Sequence, residues 1–152
     1  MTVTNPAVNK LNKITLSLKK TSFVKKRICG ANDAAEYIMQ FYQSDIDIYE
    51  SFFILLLDRA NNTIGYAKIS QGGCIGTVID TKIIAKYCID SLAQSVILAH
   101  NHPSGNRQPS SADLDQTKKI QNTLAIFDCQ VHDHIILTSE NGFFSMQENG
   151  LI

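Results

Sequence analysis

The sequence predicts one α/β domain, with helices packed on a β-sheet of mixed direction. Three observations carry that expectation. Strand-like and helix-like runs alternate along the chain, with no linker or internal repeat between them. The stretch "SFFILLLD" (51–58) is apolar on both faces, as a central strand covered from two sides must be. A chain of 152 residues, 44% apolar and 18% charged, is long enough for one well-cored domain and too short for two ordinary ones.

Residues 1–12 read as an unstructured lead-in. "KITLSLK" (13–19) alternates apolar and polar residues, which predicts a half-buried strand. "NDAAEYIMQFY" (32–42) spaces its apolar residues as a helix does, with Asn32 as the N-cap. The central strand 51–58 follows, then "RANN" as a turn, then "TIGYAKIS" (63–70) as the second arm of a hairpin. After the loop "QGGCIG", Asp80 or Thr81 opens a helix reaching about Ser91, with Ile83, Ile84, Tyr87 and Cys88 on its buried side. "SVILAH" (95–100) is a short buried strand. Ser110 caps a helix running to about Leu124, "VHDHIILT" (131–138) is a strand, Asn141-Gly142 a turn, and "FFSM" a last short strand.

Net charge is zero, yet residues 1–27 hold seven of the fourteen Lys and Arg (Lys10, Lys13, Lys19, Lys20, Lys25, Lys26, Arg27) and none of the fourteen acids. Such an arm either neutralises nucleic-acid phosphates or forms a solvated face. The four cysteines, Cys29, Cys74, Cys88 and Cys129, include no CxxC pair. That argues against a zinc ribbon, a thioredoxin-type motif or a disulfide framework, and predicts reduced, mostly buried thiols. No apolar run approaches the roughly 18–20 residues that span a bilayer, and no signal-peptide pattern is present. The expectation is a cytoplasmic protein with no membrane partner.

"SVILAHNHPSGNRQPSSAD" (95–113) carries the chemistry. Side chains two apart at a strand end share a face, roughly 6.5–7 Å from one Cα to the other, so His100 and His102 can converge on one cation. The flexible "PSGNRQPS" between them and Asp113 lets the acid fold back. Two His and one Asp suit zinc with a fourth position left open for water. A base must then take a proton from that water, and Glu50, at the head of the central strand, is the candidate; the alternative is a solvent-facing strand end. Ser110 and Asp113 form an S-x-x-D helix-capping sequence, and the Ser110 hydroxyl could also donate to an oxyanion. The second H-x-H, His132 and His134, lies within an apolar strand. There His134 reads either as a packed histidine or as one lying behind the metal ligands, itself oriented by a hydrogen bond, and His132 as a surface or interface residue. The H-x-E and P-C-x-x-C signature of zinc deaminases is missing.

Glu50, then His100-x-His102-x7-Ser110-x-x-Asp113, resembles the JAMM motif of the MPN/JAB-domain metalloproteases. "ESFFILLLD", "GTVID", "ILAHNHPSGNRQPSSADLDQTKKI", "DHIIL" and "GFFSMQENGLI" resemble the RadC branch of that family, over about residues 30–152. The resemblance implies a single MPN/JAB-type domain over 30–152, preceded by a basic arm or strand over 1–29. Its fold would be a curved mixed sheet flanked by helices, similar in layout to the cytidine deaminases. It implies zinc on His100, His102 and Asp113, Glu50 as general acid/base and Ser110 as oxyanion donor. The implied activity is hydrolysis of a peptide or isopeptide bond in a peptide or protein substrate. Where RadC-like proteins often carry Pro-Arg-Glu ahead of the helix before the H-x-H strand, this chain has Asp80-Thr81-Lys82. Two other functions stay open at this point: a DNA-repair-associated accessory protein that binds nucleic acid through its arm, with zinc structural or vestigial, and a plain interaction module.

Overall fold

The structure, a computed structural model, describes residues 11, 13, 17–42, 44–72 and 79–152. Its elements in chain order are α1 (Ala31–Met39), β1 (Glu50–Leu57), β2 (Thr63–Gly72), α2 (Thr81–Ser91), β3 (Ser95–Asn101), α3 (Ser111–Ala125), β4 (Gln130–Leu137) and β5 (Phe143–Ser145). The five strands form one open sheet in the order β2-β1-β3-β4-β5. β1 pairs antiparallel with both β2 and β3, while β3 and β4 are parallel, as the crossover through α3 requires. β5 closes the far edge antiparallel to β4. This is the mixed α/β architecture that the alternating runs predict. Irregular pairing at Phe52/Phe53 and Leu56/Leu57 against β2, and at Val96/Ile97 against β4, bends the strands locally.

β1 shows why the sheet needs helices on two sides. Phe53, Leu55 and Leu57 enter one core with α1 residues Ala34, Ala35 and Ile38; Phe52, Ile54 and Leu56 enter the other with α2 and α3 residues Ile84, Cys88, Ile120 and Leu124. Each such side chain contributes about 1.5–3 kcal/mol on full burial. The α1 side is aromatic: Phe41 stacks on Tyr66 at 4.0 Å between centroids, and Phe23 meets both edge-on at 5.4 and 5.5 Å.

Three local expectations change. Residues 17–20 are exposed and form no strand, and Leu18 is 92% exposed because nothing covers its side of the alternation; residues 14–16 lie outside the described residues. The chain joins the sheet edge later, where Ile28 N–H donates to Asn61 O and Thr63 N–H to Lys26 O, each at 2.9 Å. The cap of α1 is Gly30, in extended conformation, and not Asn32. Asp33, in the first turn, supplies the acceptor instead, taking Cys29 N–H at 3.1 Å and pairing with Lys26 at 2.9 Å. On α2 the buried stripe is Ile84, Ala85 and Cys88, whereas Ile83 and Tyr87 are each 41% exposed. α2 packs against β2, β1 and α3, and these cover only one narrow side of it. Of the thiols, Cys88 and Cys129 are buried and Cys29 is exposed; Cys74 lies outside the described residues. Among the described residues no helix is long and apolar enough to cross a membrane.

Candidate metal centre

β3 is buried along its whole length and delivers two histidines to its C-terminal end. His100 stands opposite Phe52 of β1, and His102, just past the strand, still donates its N–H to Leu137 O of β4 at 3.0 Å. The chain then reverses tightly, with Gly105 N–H on His102 O at 3.0 Å. Gly105 has φ 77°, a conformation that favours glycine, and its carbonyl takes a hydrogen bond from Asn141 Nδ2 at 2.8 Å. The returning loop ends in a capping box. Ser110 Oγ accepts from Asp113 N–H at 3.1 Å, and the Asp113 carboxylate accepts from Ser110 N–H at 2.7 Å. Asp113 is thereby fixed in the first turn of α3, with Oδ1 nearest His100 and Oδ2 nearest His102.

The resulting triangle is small. His100 Nε2 lies 2.9 Å from His102 Nε2 and 3.3 Å from Asp113 Oδ1, and His102 Nε2 lies 3.7 Å from Asp113 Oδ2. Ligand atoms about 2.0–2.1 Å from a tetrahedral ion are separated by roughly 3.3–3.4 Å, so the spacing fits one small cation. Both imidazoles are also set to offer Nε2. His102 Nδ1 is hydrogen-bonded to the backbone carbonyl of Asn106. A carbonyl only accepts, so Nδ1 carries the proton and Nε2 keeps its lone pair. His100 Nδ1 meets His134 Nε2 at 2.8 Å, which places His134 directly behind His100, one of the two positions the sequence left open for it. Phe52 packs on both rings.

Electrostatics hold the acid charged. Burial alone would raise the Asp113 carboxyl, but the two imidazoles beside it, His100 and His102, outweigh burial and hold it far below the usual carboxylate range. The same carboxylate raises His102 above its ordinary value. Burial pushes His134 well below its own, so it stays neutral.

The RadC-like JAB domain family model matches residues 28–151. The chain belongs to that family. It is 37% identical over 126 residues to a UPF0758 protein of Flavobacterium johnsoniae, covering 83% of this chain and 54% of the relative. A UPF0758 protein of Coprothermobacter proteolyticus is 37% identical over 137 residues, 89% of this chain and 58% of the relative. One from Finegoldia magna is 39% identical over 99 residues, 65% of this chain and 44% of the relative. The chain thus spans about half the length of the curated relatives it matches.

In this RadC-like domain the other candidates lie outside the triangle or brace it. Glu50 is the first residue of β1, paired with Gly72 and half-buried. Its negative charge helps to raise both His102 and the buried phenol of Tyr42, after the larger effects of Asp113 and of burial respectively. The Ser110 hydroxyl donates to Asp113 Oδ2 at 2.7 Å, so in this state it braces the acid. His132 meets Asn61 at 3.1 Å, outside the triangle. Asn101, between the two histidines and pointing to the opposite face, is a residue the motif reading passed over. It is fully buried; its Oδ1 accepts from Ser51 N–H at 2.8 Å, and its Nδ2 donates to Ile46 O and to Tyr49 O. It therefore grips the peptides on both sides of Glu50. The sequence signal was a polar residue inside an otherwise apolar buried run. Asn101→Ala leaves three backbone groups without their partner, and at about 1–3 kcal/mol for each buried unsatisfied group it is expected to cost about 3 kcal/mol or more in urea unfolding, while the His–Asp triangle still takes up metal.

A pH dependence follows with two signs. In the metal-free protein the depressed Asp113 contributes stability in full above its ordinary value of about 4, and loses it only in strong acid. The raised His102 contributes in full below about 6.5 and loses its share as pH climbs through the raised value. Above about pH 7.5, where the lowered His132 and His134 are neutral in folded and unfolded chain alike, raising the pH through the raised value of His102 is therefore expected to lower the melting temperature of the metal-free domain. To ligate, His102 must release that same proton, so metal affinity is expected to rise over the same range. Melts with excess chelator and with added metal check both; a metal affinity that falls as pH rises would contradict ligation by His102.

Proposed function

We propose that this RadC-like domain is a zinc-dependent hydrolase of a peptide or isopeptide bond, with His100, His102 and Asp113 as the ligands. The observation that carries the reading is the triangle of two Nε2 atoms and a carboxylate, with Nδ1 of both imidazoles occupied by other partners. Two nitrogens and one carboxylate match zinc's preferred donors and leave room for a fourth. When bound there, zinc supplies a Lewis acid and water of lowered pKa.

The protein's own residues do the rest. Glu50 takes a proton from the attacking water and returns it to the leaving amine nitrogen, so the amine departs neutral. Ser110 keeps its cap by accepting Asp113 N–H, while its proton turns from the carboxylate to the oxyanion of the tetrahedral intermediate. Asn101 fixes the strand end that carries Glu50. Asp113, already charged, would offset part of the cation's charge and sits against both histidines.

The test is cleavage of a library of peptide and isopeptide substrates by protein loaded with zinc. Cleavage that stops with a chelator and returns with zinc is expected. A zinc-loaded protein that cleaves no member of either class would contradict the reading.

A further inference from the structure

The mechanism above uses the outer nitrogen of His100 only as far as His134, but the hydrogen bonds run further. His134 Nδ1 lies 2.6 Å from Thr117 Oγ1, and the Thr117 hydroxyl reaches Asp113 O, one helical turn back, at 2.6 Å. Met146 Sδ, at 3.6 Å, is a weaker alternative acceptor for the same hydroxyl. His100, His134 and Thr117 are each at most 1% exposed, so no solvent exchange competes along the chain.

We infer that Thr117 is a positioning residue for the metal centre: through His134 it sets which nitrogen of His100 carries the proton, and so whether Nε2 is free to ligate. The inference rests on His100 being a ligand. Asp113 O can only accept, so it draws the Thr117 proton and turns the Oγ1 lone pairs toward His134. His134 then donates from Nδ1 and must accept at Nε2. His100 in turn donates from Nδ1 and presents a bare Nε2 to the cation. The polarity of the whole chain follows from its last acceptor.

Removing the Thr117 oxygen reverses that polarity. A neutral His134 facing a methyl group would leave a buried N–H without an acceptor if it kept its proton on Nδ1. It avoids this by moving the proton to Nε2, where His100 Nδ1 accepts it. The His100 proton then sits on Nε2, the nitrogen the cation needs. Thr117→Val keeps the shape of the side chain and loses the oxygen; Thr117→Ser keeps the oxygen and loses a methyl.

Zinc affinity of the full chain, measured by competition with a chromophoric chelator, separates these roles. Thr117→Val is expected to bind zinc about ten- to a hundredfold more weakly, and Thr117→Ser to stay near wild type. Thermal melts of the metal-free forms run alongside, since a merely structural Thr117 would change the melts and leave affinity alone. In zinc-loaded wild type, two-bond proton–nitrogen correlations should show His134 protonated on Nδ1 only. Equal affinity in Thr117→Val and wild type, or His134 protonated on Nε2 with zinc bound, would overturn the relay. A wild-type protein that binds no zinc would overturn the metal centre first and the relay with it, an outcome distinct from both.

Discussion

Glu50→Gln is expected to retain zinc and lose hydrolysis, by about a hundredfold to ten-thousandfold, the range for a positioned general base. Glu50 is outside the His–Asp triangle, so zinc content should not change, while the proposed mechanism makes it the group that takes the proton. Gln is nearly isosteric and cannot take a proton. The fold should survive, because β1 is held by its apolar residues on both faces and by Asn101 on the peptides flanking position 50. The check is turnover on the same substrates with zinc content and melts measured on the same samples. Wild-type rates in the variant would move the base to another acid, with Asp47 and Asp45 next along the chain.

The second large effect is on metal. Zinc bound by a full protein ligand set contributes about 10–16 kcal/mol, so one of three ligands carries at least about 3 kcal/mol, a hundredfold or more in affinity. His102→Ala and Asp113→Ala should each leave the protein metal-poor after dialysis. His132→Ala, on Asn61 and outside the triangle, should leave it loaded. Asp113→Ala should also destabilise the start of α3, because the same carboxylate closes the capping box. Elemental analysis with chemical denaturation separates the two losses. Full zinc occupancy in His102→Ala would remove that residue from the ligand set.

What could be read from the sequence was what local pattern encodes. "SFFILLLD" has no polar face, so it had to be a central strand, and the alternation of its side chains between two cores followed. His100 and His102 were legible because two imidazoles at the end of a buried run need a polar partner, and S-x-x-D supplied one at the next helix start. What escaped depended on distant partners. Asn101 acts on peptides about fifty residues earlier, and Thr117 acts on His134, seventeen residues later; neither belongs to a local pattern. Asn32 had the composition of a cap, but the acceptor came from Asp33, already engaged with Lys26 across the arm. Ile83 and Tyr87 followed helical spacing, yet only a narrow side of α2 is covered. The alternation at 17–19 likewise met no neighbour to bury Leu18.

Metal stoichiometry decides whether His100, His102 and Asp113 hold a zinc ion. The protein would be purified without added metal and without a histidine tag, and its metals counted by elemental analysis. One zinc per chain, lost on chelation and absent from Asp113→Ala, is the predicted result. A metal-free protein that also fails to take up added zinc at neutral pH would contradict the account.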